Sequence, residues 1–152
     1  MTMTTDRIEK RIDLNAPVSR VWRALTDHRE FGEWFRVDLS SPFATGETTR
    51  GQVTYPGYEH LTFEVEVQEM REDHLFTFRW HPAAVDPAVD YSAEPQTLVE
   101  FRLEEIDGGT RLYVTESGFD ALPPERRDEA LRMNASGWAE QMANIAEHVG
   151  AR

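Results

Sequence analysis

Apolar residues at Leu131, Ala135, Trp138, Met142, Ile145 and Val149 alternate by four and three positions, drawing one apolar stripe along the C-terminal segment. The spacing predicts a helix from Pro124 to Val149, about 39 Å long at roughly 1.5 Å per residue. A stripe of that length needs a surface to lie on, and the region between Gly46 and Gly118, which reads as strands, offers one. Leu61, Phe63, Val65 and Val67 alternate with Thr62, Glu64, Glu66 and Gln68, the pattern of a strand with one dry face. Phe76, Phe78 and Trp80 repeat it after a turn at Glu72-Asp73-His74. Val99, Phe101 and Leu103 face inward opposite Glu100, Arg102 and Glu104, and Asp107-Gly108-Gly109 turns the chain into Leu112 and Val114. These strands form a meander, interrupted from Pro82 to Pro95 by a long loop that is either a lid or a plain mobile connection.

Ahead of the meander, Ile8, Ile12 and Leu14 mark a first strand over residues 7–14, with imperfect alternation at Lys10. Asn15 offers a helix N-cap and Pro17 suits a first helical turn, so Val18, Val21, Trp22 and Leu25 place a short helix over residues 17–26. Thr26-Asp27-His28 breaks it, and Phe31, Trp34 and Phe35 suit a second short helix. A turn-rich stretch from Ser40 to Gly46 then leads into the strands. Strand, two short helices, antiparallel strands and one long helix make an α+β order, expected as a single domain over residues 1–152.

Composition narrows the chemistry. The chain has no cysteine, which removes disulfides, thiolate nucleophiles and cysteine zinc sites. Its formal charge of −12, with Lys10 as the only lysine, disfavours nucleic acid as a partner. The opening Met1-Thr-Met-Thr-Thr-Asp6 carries neither the basic segment nor the apolar run of a signal peptide, and no stretch approaches a membrane span. A cytoplasmic protein without membrane insertion is the expectation. No His-x-His, His-Glu-x-x-His or clustered carboxylate spacing points to a metal, no glycine pattern to a nucleotide, and no cofactor is expected.

The order of elements, with Ala16-Pro17, Val21-Trp22, Ala24-Leu25-Thr26-Asp27 and Trp34 at the front, resembles the START-related helix-grip superfamily. Glu116-Ser117-Gly118-Phe119, then Asn134 and Gly137-Trp138, resemble the tail of its bacterial branch similar to the C-terminal domain of the Hsp90 ATPase activator. The resemblance runs from about Ile8 to Val149. It implies a curved antiparallel sheet gripping the long helix, with a cavity between them that binds hydrophobic small molecules in many relatives. Those relatives include lipid carriers, hormone receptors, polyketide cyclases and the co-chaperone domain, so the fold does not choose among functions.

Alternation from Leu112 and Val114 turns Glu116 inward, where a carboxylate without a partner suffers desolvation of several kcal/mol. Asn134 and Trp138, one helical turn apart, both carry donors to meet it. Glu116 then either pins strand to helix or anchors a ligand hydroxyl or amine at the bottom of an apolar pocket. In the second case Glu116→Gln alters binding more than folding. Trp34, Tyr55, Phe63, Phe78, Trp80, Phe101, Glu116, Asn134, Trp138 and Met142 are the candidate ligand-binding residues, suited equally to a packed core. His60, His81 and Glu116 are the candidates for proton transfer. The leading expectation is non-catalytic binding of a small lipid, polyketide or flavonoid-like molecule. A cyclase or hydratase acting in the same cavity comes second. A co-chaperone or stress-response interaction module comes third, because 152 residues leave no room for the separate Hsp90-contacting domain of the eukaryotic co-chaperone; the protein partners to expect are a chaperone or, as a homodimer, a second copy of the chain.

Overall fold

The computed structural model describes residues 6–86 and 88–150; Met1–Thr5, most of the opening read above as lacking a leader, lie outside them, as does Pro87 within the long loop. The first strand, β1, spans Arg7–Leu14 and buries Ile8 and Leu14. Helix α1, Val18–Thr26, buries Val21, Ala24 and Leu25. The expected Asn15 cap is not used: Pro17 takes the N-cap position, and its carbonyl accepts from the Arg20 and Val21 amides. Asp27 ends α1 and starts α2, His28–Phe35, where its Oδ1 accepts from the amides of Arg29 at 2.9 Å and Glu30 at 3.2 Å. The break expected at Thr26-Asp27-His28 is therefore a cap that serves the second helix.

Two strands were not singled out by pattern. β2, Val37–Leu39, precedes the turn-rich stretch, which therefore connects strands rather than leading into the first of them. β3, Thr48–Val53, reads TTRGQV and has almost no apolar alternation to reveal it. The meander follows as β4 (Thr62–Arg71), β5 (Leu75–Trp80), β6 (Thr97–Ile106) and β7 (Gly109–Ser117). All pairs are antiparallel, in the spatial order β1-β7-β6-β5-β4-β3-β2. A register shift between Val67 and Glu69 bends β4 against β5.

Helix α3, Pro124–Gly150, closes over this curved sheet. Trp138, Met142, Ile145 and Val149 of the expected stripe are buried, together with Ala130; Leu131 and Ala135 are half-buried at its border. The core between helix and sheet is aromatic: Phe76, Phe78 and Phe101 are sealed from solvent, with Phe31 and Phe119 at its margins. This is the helix-grip arrangement.

Candidate functional site

The inward turn of Glu116 is realised in full, since its side chain has no solvent exposure. Its Oε2 accepts from Trp80 Nε1 at 2.8 Å and Thr97 Oγ1 at 2.5 Å, and its Oε1 from Trp138 Nε1 at 2.8 Å. Asn134 Nδ2 bridges both oxygens at 2.9 and 3.1 Å. Register explains the meeting. Trp80 pairs with Thr97 across β5 and β6, and Glu116 pairs with Val99 two residues further along β6. Each partner donates and none is a cation, which suits an ionised carboxylate, an acceptor at every lone pair. The knot joins β5, β6, β7 and α3 at one buried point.

It also shapes what lies beside it. Trp80 and Trp138 stack with ring centroids 5.8 Å apart and planes 29° from parallel. With both indole N–H groups committed to Glu116, the rest of each ring is hydrocarbon. Over this floor lies a cleft with two adjoining lobes. The first, about 350 Å³, is lined by Phe35, Val53, Tyr55, Leu61, Trp80, Asn134, Gly137, Trp138, Gln141 and neighbours. The second, about 410 Å³, shares Val53, Leu61, Trp80, Val85 and Asn134 and adds Phe63, His81, Ala83, Tyr91 and Met133.

Of the sequence candidates, the fold brings Tyr55, Phe63, Trp80, His81, Asn134 and Trp138 to this cleft. Trp34, Phe78, Phe101, Glu116 and Met142 line neither lobe and are buried behind it. Trp34 donates its indole N–H to Ala24 O at 2.8 Å, closing α2 on α1. His60 is exposed between β3 and β4, outside both lobes. His81 is half-buried, with Nε2 3.1 Å from Glu94 O; a carbonyl only accepts, so Nε2 carries the hydrogen. Sequence reasoning missed Gln141 and Asn144 as lining residues. Their signal was available: Asn134, Gly137, Gln141 and Asn144 recur at helical spacing as a small, neutral stripe beside the apolar one. A Cβ at Gly137 would meet nothing within 4 Å, the mark of open space on that face.

The polar contacts at the walls are specific. Asn134 has its amide nitrogen on Glu116, and among the described residues no donor reaches its Oδ1. Gln141 Nε2 donates to Phe35 O at 3.2 Å, and Asn144 Nδ2 to Gln141 Oε1 at 3.1 Å. Tyr55 donates to Glu140 Oε1 at 3.0 Å; that hydrogen bond, then the charge of Glu140, pushes the Tyr55 hydroxyl above its ordinary value. The Arg36 guanidinium sits 5.5 Å from the Tyr55 ring centroid at the mouth. On the other side, Arg126 in the first turn of α3 ties down the long loop. It reaches Glu94 at 3.2 Å and Pro82 O at 2.8 Å, and lies 4.9 Å from the Tyr91 ring centroid. Among the described residues no group of three or more His, Asp or Glu is placed to hold a metal, and no helix is long and apolar enough to cross a membrane.

Comparison with known proteins agrees with this architecture. The family described as "Activator of Hsp90 ATPase homolog 1-like protein" matches residues 15–150. No curated protein matches the chain. Among solved structures, DynU16, a protein of the dynemicin biosynthetic locus, is 25% identical with a TM-score of 0.75, over 96% of this chain and 48% of its own. This chain thus spans about half the length of DynU16. MLL2253 from Mesorhizobium loti is 22% identical with a TM-score of 0.75, over 95% of this chain and 96% of its own. The Aha1 dimer from Colwellia psychrerythraea is 17% identical with a TM-score of 0.72, over 98% of both chains. With a match over most of its length and a helix-grip fold in place, the chain belongs to the Activator of Hsp90 ATPase homolog 1-like family.

Proposed function

We propose that this protein binds a small hydrophobic, largely aromatic molecule in the two-lobed cleft between α3 and the β3–β5 side of the sheet, without converting it chemically. The observation that carries the reading is the floor. Two stacked indoles whose polar atoms are engaged from behind present only π-surface to the cleft. Tyr55, Phe63, Trp80, Asn134 and Trp138 touch the ligand, with Phe35, Val53 and Leu61 beside them. Trp34, Phe78, Phe101 and Met142 support the wall from the core. Of the two residues expected to orient the ligand, Glu116 is enclosed by four protein donors, which favours Asn134 through its open Oδ1.

Binding is favoured over cyclase or hydratase chemistry because the candidate proton carriers do not converge. Glu116 is sealed and His60 lies outside, leaving His81 alone on the cleft. The likeness to DynU16 supports a small biosynthetic product as cargo. A chaperone-directed role rests on the family's description alone.

The test is an amide and indole NMR titration with flavonoids, polyketides, sterols and fatty acids. Saturable shifts at Tyr55, Leu61, Asn134 and the two indole N–H groups are expected from at least one class. A well-dispersed spectrum that stays silent across the panel overturns the reading and turns attention to an Hsp90 partner.

A further inference from the structure

We infer that the ligand of this cleft is a planar aromatic carrying at least two hydroxyl or N–H donors, because Asn134 and His81, the polar side chains beside the tryptophan floor, direct donors into the protein and leave acceptor atoms open. The inference rests on the binding reading above and specifies its ligand class.

Donor and acceptor accounting carries it. Asn134, which lines both lobes, has its amide nitrogen across the two oxygens of Glu116, leaving Oδ1. His81 lines the second lobe next in the chain to Trp80; with Nε2–H on Glu94 O, Nδ1 is the acceptor of that tautomer. Among the described residues no donor reaches Asn134 Oδ1 or His81 Nδ1, and neither atom is sealed from solvent, so both are open to what fills the cleft. In the first lobe Gln141 donates one amide N–H to Phe35 O and Asn144 one to Gln141, each keeping a second, while Tyr55 donates to Glu140. Asn144 Oδ1 and the Glu140 carboxylate remain as further acceptors. At the rim of the second lobe Glu64, paired to Arg50, is another acceptor, while the hydroxyls of Thr62 and Tyr91 serve in either role. Among the described residues that line the cleft Arg36 is the one arginine or lysine, and it stands at the mouth.

An ionised fatty acid or a hydrocarbon brings no donor to such walls and leaves their acceptors desolvated and unmatched. A sterol brings one hydroxyl. A polyphenol supplies a flat ring for the indole floor and hydroxyl hydrogens for at least two wall acceptors.

The experiment compares two rigid probes of nearly equal shape, 2,6-dihydroxynaphthalene and 2,6-dimethoxynaphthalene, by isothermal titration with tryptophan fluorescence as a second readout. The diol is expected to bind about five- to thirtyfold more tightly, as two modest net hydrogen bonds imply. His81→Phe is expected to lower that preference by about fivefold. His81→Gln, whose amide keeps a donor for Glu94 O and adds an acceptor, restores it and controls for loss of the loop anchor. Equal binding of the two probes, or tighter binding of the diether, overturns the inference while leaving the cleft reading in place. If neither probe binds the folded protein at millimolar concentration, the cleft reading falls and takes the inference with it.

Discussion

Glu116 illustrates how one residue takes its role from its neighbours. A carboxylate held by charge-assisted hydrogen bonds gains about 1.5–3 kcal/mol from each, enough together to offset its desolvation. Replacing one oxygen by an NH2 group sets donor against donor in a sealed space. Glu116→Gln is therefore expected to cost about 2–4 kcal/mol in urea unfolding, with binding lost only as far as folding is. That reverses the sequence-based expectation of a change mainly in binding. Phe101→Ala, in the core behind the floor, is expected to cost about 3–5 kcal/mol while leaving the lining of the cleft chemically unchanged. Comparing its ligand affinity with that of the parent at a temperature where both are folded separates support from contact.

Elements are fastened to one another at two places where chemistry can be titrated or crowded. Glu30 of α2 receives Arg20 at 2.6 Å and Arg23 at 2.8 Å from α1, and His148 at 2.9 Å from the last turn of α3. Burial pushes its carboxyl up, but the hydrogen bonds from His148, Arg20 and Arg23 outweigh it and hold the group below the ordinary 4.5. A depressed carboxylate stabilises the fold fully above its unfolded value and loses that contribution as pH falls through the folded one. Melting temperatures of the parent are thus expected to drop below about pH 4.5, with a shallower fall in Glu30→Gln, which has nothing to protonate there. Gly109 opens β7 where a Cβ would stand 2.0 Å from Leu14 O at the end of β1. Gly109→Ala has to part these strands and is expected to cost about 1–3 kcal/mol, with hydrogen exchange faster along β1 than along β4.

Over the whole molecule, the cleft depends on chain segments far apart in sequence: the region around Val53–Leu61, the 82–95 loop and the middle of α3. Arg126 ties that loop to the first turn of α3 through Glu94, Pro82 and Tyr91, with only 17% of its side chain and 19% of that of Glu94 exposed. Arg126→Ala is expected to speed chymotrypsin cleavage after Tyr91 severalfold with a small change in melting temperature. A cleavage rate equal to that of the parent would show that the loop is held by its other contacts.

Alternation along the chain by itself determined β1, the β4–β7 meander, the two short helices and α3, since each has a face that must leave water and a period that says which residues lie on it. It also determined that Glu116 points inward. It did not reveal β2 and β3, three and six residues long, whose pairing with one another and with β4 comes from edges rather than from their own apolar content. Nor did it separate Phe78 and Phe101 from Trp80 and Phe63. All four sit on dry faces, yet two meet the packed interior and two border the cleft. A periodic pattern names the face a side chain occupies, whereas what lies across from that face, a neighbour or a space, is decided by where a helix from the other end of the chain comes to rest. The same holds for the donors of Trp80, Asn134 and Trp138: their chemistry is written in the sequence, but only the tertiary structure turned them toward Glu116 and left the opposite sides of those residues to the cleft.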